Sequence, residues 1–305
     1  MATEINDPGT GKNFGTTSNR IINNDGTFNI KKKGARTGFR DVFTYLTEVS
    51  WHKFFLIIFI AYFLINILFT FLFMLVGPEQ VAGLDPEKST FGQLLAFSFQ
   101  TSTTVGYGAL HPIGPGAQFI AATAAFFGFL SFSLATGLLY GRFSRPNPKI
   151  LYSDNILYSK YQEGYSLKLR LANMRNTTLM DLETHLILAT DRPPDENGNI
   201  MKNYYRLKLE RDSILMLPLT WTIVHPIDED SPLHGKSKEE ITALNPEIMV
   251  TIKGFNEVYG QHIRSRYSYG IKDFKWNKGF QRIYYSDGDK VGFDLADINM
   301  MVDEN

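Results

Sequence analysis

The chain has 305 residues, 31 basic and 31 acidic side chains, no cysteine and a hydrophobic fraction of 44%. Such a length allows about two domains, and the balanced charge argues against a nucleic-acid partner. Without cysteine there is neither a disulfide framework nor a cysteine-ligated zinc site.

In chain order, residues 1–35, rich in Asn, Gly, Thr and Lys, read as a disordered tail. They lack the charged start, apolar stretch and cleavage site of a secretory signal, so the first apolar segment is expected to stay in the protein. Gly9-Thr10-Gly11-Lys12 is only superficially like a phosphate loop, since its spacing fails and no strand precedes it. Residues 36–52 predict a short amphipathic helix on the inner membrane surface, with apolar residues at 42, 43, 45, 46 and 49 and Trp51 as an interfacial anchor. A plain linker accounts for the same residues equally well.

Phe54 to Val76 and Ala117 to Tyr140 are uncharged runs of 23 and 24 residues. As helices they reach roughly 34 Å or more, enough to cross a ~30 Å hydrocarbon core. Asn66 and Thr70 are the clearly polar members of the first run. The second holds Gly128, Gly137 and several Ser and Ala, residues that let membrane helices approach or bend. Lys31, Lys32, Lys33, Arg36, Arg40 and Lys53 precede the first run, and Arg142, Arg145 and Lys149 follow the second. The intervening segment carries Glu79, Asp85, Glu87 and Lys88, so both termini are expected in the cytoplasm and residues 77–116 outside.

Between the spans, Phe91 to Thr101 reads as a helix far too short to cross, leading straight into Thr104-Val105-Gly106-Tyr107-Gly108. Irregular backbone at membrane depth is tolerated where it lines a water-filled or ion-filled path, and this pentapeptide is the known sequence of potassium filters. Backbone carbonyls of residues 104–107, with the Thr104 hydroxyl, can replace the water shell of a potassium ion. Gly106 and Gly108 permit backbone conformations that a Cβ opposes. The helix end before the filter should favour a cation in the cavity below. One chain supplies one filter strand and a closed ring needs four, so a homotetramer is expected. Potassium ions are the only cofactor this implies; nothing covalent is expected.

No row of arginines at helical spacing suggests an arginine-rich voltage sensor. From about residue 153 the chain turns to alternating strands, as in 165–171, 184–190, 249–254 and 282–286, separated by turn signals at 192–198 and 286–289. The fold class expected is a membrane α-helical pore domain over 53–145, two transmembrane helices plus a pore helix. An all-β, immunoglobulin-like antiparallel cytoplasmic sandwich follows over 146–305. The acidic end from Asp294 reads as a tail for a neighbouring subunit. An enzyme is disfavoured, because the six histidines (52, 111, 185, 225, 234 and 262) lack metal-ligand spacing. The sequon at Asn176 falls on the cytoplasmic side. A membrane scaffold with a vestigial filter and a channel gated by a soluble ligand remain as alternatives.

The stretch from Thr222 through His225, Pro226 and Asp228 to Leu233 closely resembles a signature of the cytoplasmic domain of inward-rectifier potassium channels. Residues 41–44 with Trp51 resemble that family's slide helix, and 170–175 its first cytoplasmic strand. The resemblance runs from about residue 35 to 295 and is nearest to the prokaryotic branch, which implies a bacterial inner-membrane location. It also shows departures. Gln100 and Leu110 occupy the positions of a glutamate–arginine pair that braces the filter in animal relatives, so neutral hydrogen bonds and packing must replace it. Phe132 falls where strong rectifiers carry an acid; Asp181 matches an acidic position of the cytoplasmic pore, whereas Lys253 replaces another. Weak or absent polyamine rectification is therefore expected.

The resemblance further implies a gate. Gly128 and Gly137 are candidate bending points, with helix packing as the equal alternative, and Tyr140 sits where the helices converge. Gly254 to Gly260 resembles a flexible loop forming a second constriction, with Glu257 and Arg266 as a supporting ion pair. His52, Lys53, Arg142, Arg145 and Arg175 match the zone that meets anionic lipid headgroups, with a role in topology alone as the alternative for Arg142 and Arg145. Asn147 and Pro148 stand where animal relatives are basic, and prokaryotic relatives are, by resemblance, inhibited by such lipids.

Overall fold

The computed structural model describes residues 3–5, 9, 20–23, 26–31, 33, 39–144, 149–193, 196 and 200–304. The chain divides into two compact units, one of residues 34–145 and one of residues 1–33 with 146–305. The first strand, β1 (Thr3–Ile5), belongs to the latter.

The 34–145 unit is helical. α1 (Phe39–Glu48) stops two residues before α2 (Trp51–Val76), so the boundary expected at residue 52 lies earlier and Trp51, His52 and Lys53 open the first span. α2 ends at Gly77 (φ 112°), ahead of Pro78, which cannot continue a helix. α3 (Thr90–Ser102) starts at Ser89, whose hydroxyl accepts from the Gly92 N–H, and α4 (Pro115–Phe143) starts with a proline, whose missing N–H costs nothing in a first turn. With 26 and 29 residues, α2 and α4 are long and apolar enough to cross a membrane. The two-residue strands β2 (Val81–Ala82) and β3 (His111–Pro112) pair antiparallel and join the loops flanking α3. Phe69, Phe73, Leu94, Phe97, Ile120 and Ala124 form the core between the three long helices. Most of the remaining apolar side chains of α2 and α4 point away from that core, an arrangement suited to lipid or further copies of the chain.

The other unit is a two-sheet sandwich. One sheet runs β1-β8-β7-β11-β12, with β7 (Leu179–Asp191), β8 (Lys202–Leu207), β11 (Glu247–Asn256) and β12 (Gln261–Gly270); β9 (Ser213–Met216) also pairs with β7. The other runs β10-β6-β5-β13, with β5 (Ile156–Tyr161), β6 (Gly164–Asn173), β10 (Thr220–Ile227) and β13 (Phe274–Trp276); β4 (Ile150–Tyr152) adds to β6. Alternation sets the core: Leu167, Leu169 and Leu171 of β6 and Ile223 of β10 face Leu186, Leu188, Val250 and Ile252 across the sheets. α5 (Lys238–Ala243) is a single capped turn and a half before β11. One pair, β13 with β5, is parallel, which corrects the all-antiparallel expectation.

Three further expectations differ from the structure. Residues 1–35 are not a plain solvated tail: β1 adds to the edge of β8, and Ile21 and Ile22 are buried against Tyr204 and Met249. The buried Glu247 carboxylate accepts both their N–H groups. Residues 282–286 do not continue the sandwich, because β15 (Tyr284–Asp287) folds onto β16 (Lys290–Phe293) as a separate hairpin turning at Gly288 (φ 58°). The acidic end pairs with its own chain: β17 (Met301–Asp303) lies along β14 (Lys278–Phe280), with Lys278 2.6 Å from Asp303. The turn at 192–198 lies partly outside the described residues.

Candidate functional site

The 104–108 segment begins where α3 stops. The Thr104 N–H donates to the Thr101 carbonyl (3.1 Å) and the Val105 N–H to the Gln100 carbonyl (3.0 Å). With Thr104 in the left-handed region (φ 61°), this is a Schellman-type helix end built on a residue other than glycine. A β-branched residue there stores about 1–3 kcal/mol of strain. Gly106 (φ 51°) and Gly108 (φ 84°) are also left-handed, while Val105 and Tyr107 are not. Such alternation departs from a strand, whose residues all hold negative φ. A Cβ built on Gly106 or Gly108 meets no described atom within 4 Å of the single chain, and positive φ by itself favours glycine at both. All five residues are exposed on the single chain.

What braces this segment is neutral. Gln100 contributes its backbone carbonyl, which also accepts from the Gly106 N–H (3.3 Å), and Leu110 packs against the helical core. Behind the end of α3 lies a buried polar cluster. Asn66 Oδ1 accepts from the Ser98 hydroxyl (2.9 Å) and from the Ser102 hydroxyl (2.8 Å). The Tyr62 hydroxyl lies 2.6 Å from Ser102 Oγ, and Asn66 Nδ2 donates to the Tyr62 carbonyl (2.9 Å). The Thr70 hydroxyl donates to the Asn66 carbonyl (2.7 Å). In the sequence, Asn66 and Thr70 are only polar exceptions in an apolar run. The usable signal was spacing, since 62, 66 and 70 on one helix and 98 and 102 on the next are all four apart and so share a face.

On α4 the two glycines separate. A Cβ on Gly128 would fall 2.0 Å from the Ser102 carbonyl oxygen, so Gly128 marks a close approach of α4 to the end of α3 and not a free bending point. A Cβ on Gly137 would meet no described atom within 4 Å beyond its own stretch of helix, and α4 is helical through both positions. Phe132 and Tyr140 are exposed on α4.

Of the basic residues read as headgroup ligands, His52 and Lys53 are exposed at the start of α2. Arg142 is not available in the same way. Its guanidinium donates to the carbonyls of Leu46 (2.6 Å) and Val49 (2.7 Å) and stands 4.4 and 4.7 Å from the ring centres of Trp51 and Phe54. Arg145 lies outside the described residues. Arg175 belongs to the sandwich, where it donates to the Tyr259 hydroxyl (3.0 Å).

Asp181 is exposed on β7 with φ 48°, opposite a register shift between Lys253 and Phe255. Gly254 is therefore in β11 at that irregularity, close to Leu182, and the loop proper spans only 257–260, closed by Gly260 (φ 59°). Lys253 lies 3.9 Å from Glu183. The expected Glu257–Arg266 pair is not formed among the described residues. Arg266 pairs with Thr251 down the hairpin, and its guanidinium lies 5.1 Å from the Phe28 ring centre, while Glu257 is at the tip. His225 is buried, hydrogen-bonded through Nδ1 to the Lys208 carbonyl (2.6 Å) and through Nε2 to the Ser231 hydroxyl (2.9 Å). Burial pushes its pKa below the ordinary imidazole value, with the Lys208 carbonyl and Asp228 opposing the shift.

Two family descriptions match the chain: "Inward rectifier potassium channel C-terminal domain" over residues 150–303 and "Ion channel" over residues 55–145. The chain is 32% identical over 267 residues to the inward rectifier potassium channel Kirbac3.1 of Paramagnetospirillum magnetotacticum, covering 87% of this chain and 89% of that one. It is 24% identical to the ATP-sensitive inward rectifier potassium channel 12 of Bos taurus and of Homo sapiens, covering 91% of this chain and 70% and 69% of theirs.

Proposed function

This chain belongs to the inward rectifier potassium channel family, a family of membrane channels and not of enzymes, and from that membership we propose that it is one subunit of a homotetrameric, potassium-selective pore with residues 104–108 as its filter. The observation that supports the reading is the alternation of φ sign through Thr104, Gly106 and Gly108, a backbone able to present successive carbonyls on one side. Four such strands close a ring of oxygens that takes the place of a potassium ion's water shell. The exposed apolar flanks of α2 and α4 support burial against lipid and sister subunits. The distribution of basic residues supports cytoplasmic termini in an inner membrane.

Within this reading Gly137 is the bending point of α4 and Tyr140 the constriction, with the 257–260 turn between Gly254 and Gly260 as a second narrowing. His52 and Lys53 meet anionic headgroups of the inner leaflet. Phe132 on α4 and Lys253, which faces Glu183, leave a poor site for a polyamine, so rectification is weak. Potassium flux from purified chain in liposomes, with sodium substitution, barium block and internal spermine, tests the reading. Potassium-selective, barium-sensitive flux with shallow spermine block is expected. Reproducible absence of flux means a scaffold with a vestigial filter, and steep voltage-dependent spermine block removes the rectification claim.

A further inference from the structure

Resting on the channel reading above, we propose that Asn66 is a positioning residue for the filter: through Ser98 and Ser102 it fixes the end of α3, and so the depth and calibre at which residues 104–108 present their carbonyls.

The geometry assigns each proton. Asn66 Nδ2 donates to the Tyr62 carbonyl, which orients the amide so that Oδ1 faces α3. Both serine hydroxyls then converge on that oxygen, at 2.9 Å from Ser98 and 2.8 Å from Ser102. The single Ser102 proton has two acceptors in reach, Asn66 Oδ1 at 2.8 Å and the Phe99 carbonyl at 3.2 Å; given to either, it leaves the Tyr62 hydroxyl at 2.6 Å as the donor to Ser102 Oγ. Asn66, Thr70 and Ser98 are fully buried and Ser102 nearly so, and each hydroxyl in the cluster has its partner. A fully satisfied buried polar network selects one arrangement over neighbouring ones, which apolar packing does less sharply.

Ser102 is the last residue of α3 and stands two residues before Thr104. It is gripped twice. α2 holds its hydroxyl through Asn66 and Tyr62, while its carbonyl abuts α4 at Gly128, where a Cβ would lie 2.0 Å away. Its freedom along and across the helix axis is therefore limited at the point where the chain leaves the helix. Thr104 begins in a strained left-handed conformation, which persists only when its surroundings over-determine it. A fourfold ring repeats any displacement of one strand four times, so a small loss of hold here alters the ion site everywhere at once.

The test uses the full chain, purified and reconstituted in liposomes. Relative sodium and potassium permeability is read from reversal potentials, and thermal stability of the assembly is read in parallel. Asn66→Leu and Ser102→Ala should conduct potassium while raising relative sodium permeability about tenfold, equivalent to about 1.4 kcal/mol. Tyr62→Phe should do so less. The double variant should be less selective than Asn66→Leu but by less than the sum of the two effects, because the Asn66–Ser102 bond is shared while the Tyr62 contact is lost only with Ser102. Ser102→Thr keeps a hydroxyl and should restore selectivity. Variants that lose thermal stability yet keep the wild-type permeability ratio overturn the proposal, since Asn66 is then merely structural. If Asn66→Leu does not assemble, the contrast between Ser102→Ala and Ser102→Thr decides. A wild-type chain without potassium-selective flux instead overturns the channel reading, so the two failures are distinguishable.

Discussion

Replacing Arg142 tests how the helical unit is tied together. Leu46 and Val49 lie at the end of α1, where carbonyls have no partner within the helix, and the Arg142 guanidinium of α4 supplies one to each at 2.6 and 2.7 Å. A cation at that end also favours the helix dipole. Hydrogen bonds from a charged donor contribute about 1.5–3 kcal/mol each, and the faces of Trp51 and Phe54 add about 0.5–2 kcal/mol. These contributions share one desolvation cost on a half-buried group. About 3 kcal/mol is therefore the reasonable total for Arg142→Met, a factor on the order of 100 in the undocking of α1. Arg142→Lys keeps the charge but not the fork and should cost about half as much. Hydrogen exchange of the α1 amides in lipid nanodiscs reads this directly: fast for Met, intermediate for Lys, slow for the wild type. The reasoning is refuted if α1 exchange is unchanged in Arg142→Met while the response to anionic lipid disappears, because the guanidinium would then be serving headgroups and not carbonyls.

Gly128→Ala places a methyl against the Ser102 backbone, which cannot rotate away, and should destabilise the assembly by about 1–3 kcal/mol; Gly137→Ala meets nothing and should leave melting unchanged while slowing flux. Differential scanning of detergent-solubilised channel separates the two. Because burial lowers the pKa of His225, the unfolded chain takes up the proton first, so sandwich stability is complete above about pH 6.5 and falls as the pH drops from there towards the folded value. Melts of the full chain at neutral and mildly acidic pH should show that fall, reduced in His225→Gln and further reduced when His185, also lowered by burial and by Arg206, is replaced. Glu247→Leu orphans the Ile21 and Ile22 N–H groups and should speed their exchange about tenfold or more, corresponding to about 1–3 kcal/mol.

The spans and the sandwich were legible because each is written locally, in two uncharged runs and in strands with period two. What was not legible depends on partners distant in sequence. A basic residue at a helix end looks the same whether it meets a phosphate or, like Arg142, a carbonyl 96 residues away. Gly128 and Gly137 are interchangeable on paper and differ only in what stands opposite. Residues 1–35 are polar on average, yet Ile5, Ile21 and Ile22 suffice to hold parts of them on a sheet face. Strand direction, as in the parallel β13–β5 pair, is a property of topology that no local pattern encodes.

The uncharged Gln100 and Leu110 and the uncharged Asn66 cluster make one kind of brace, without an ion pair. A buried ion pair is held by a large attraction set against a large desolvation cost, and losing one partner leaves a charge stranded at about 3–5 kcal/mol. A hydroxyl–amide network has a smaller stake at each bond, about 1 kcal/mol, but spreads it over Tyr62, Asn66, Ser98 and Ser102 on two helices. Such a brace tolerates the loss of any one bond better than a single ion pair does, and it puts no formal charge beside the ion path. Selectivity in this chain should therefore decline in steps as the cluster is dismantled. It should not collapse at the first substitution, and that graded response is what distinguishes a shared neutral brace from one bridge.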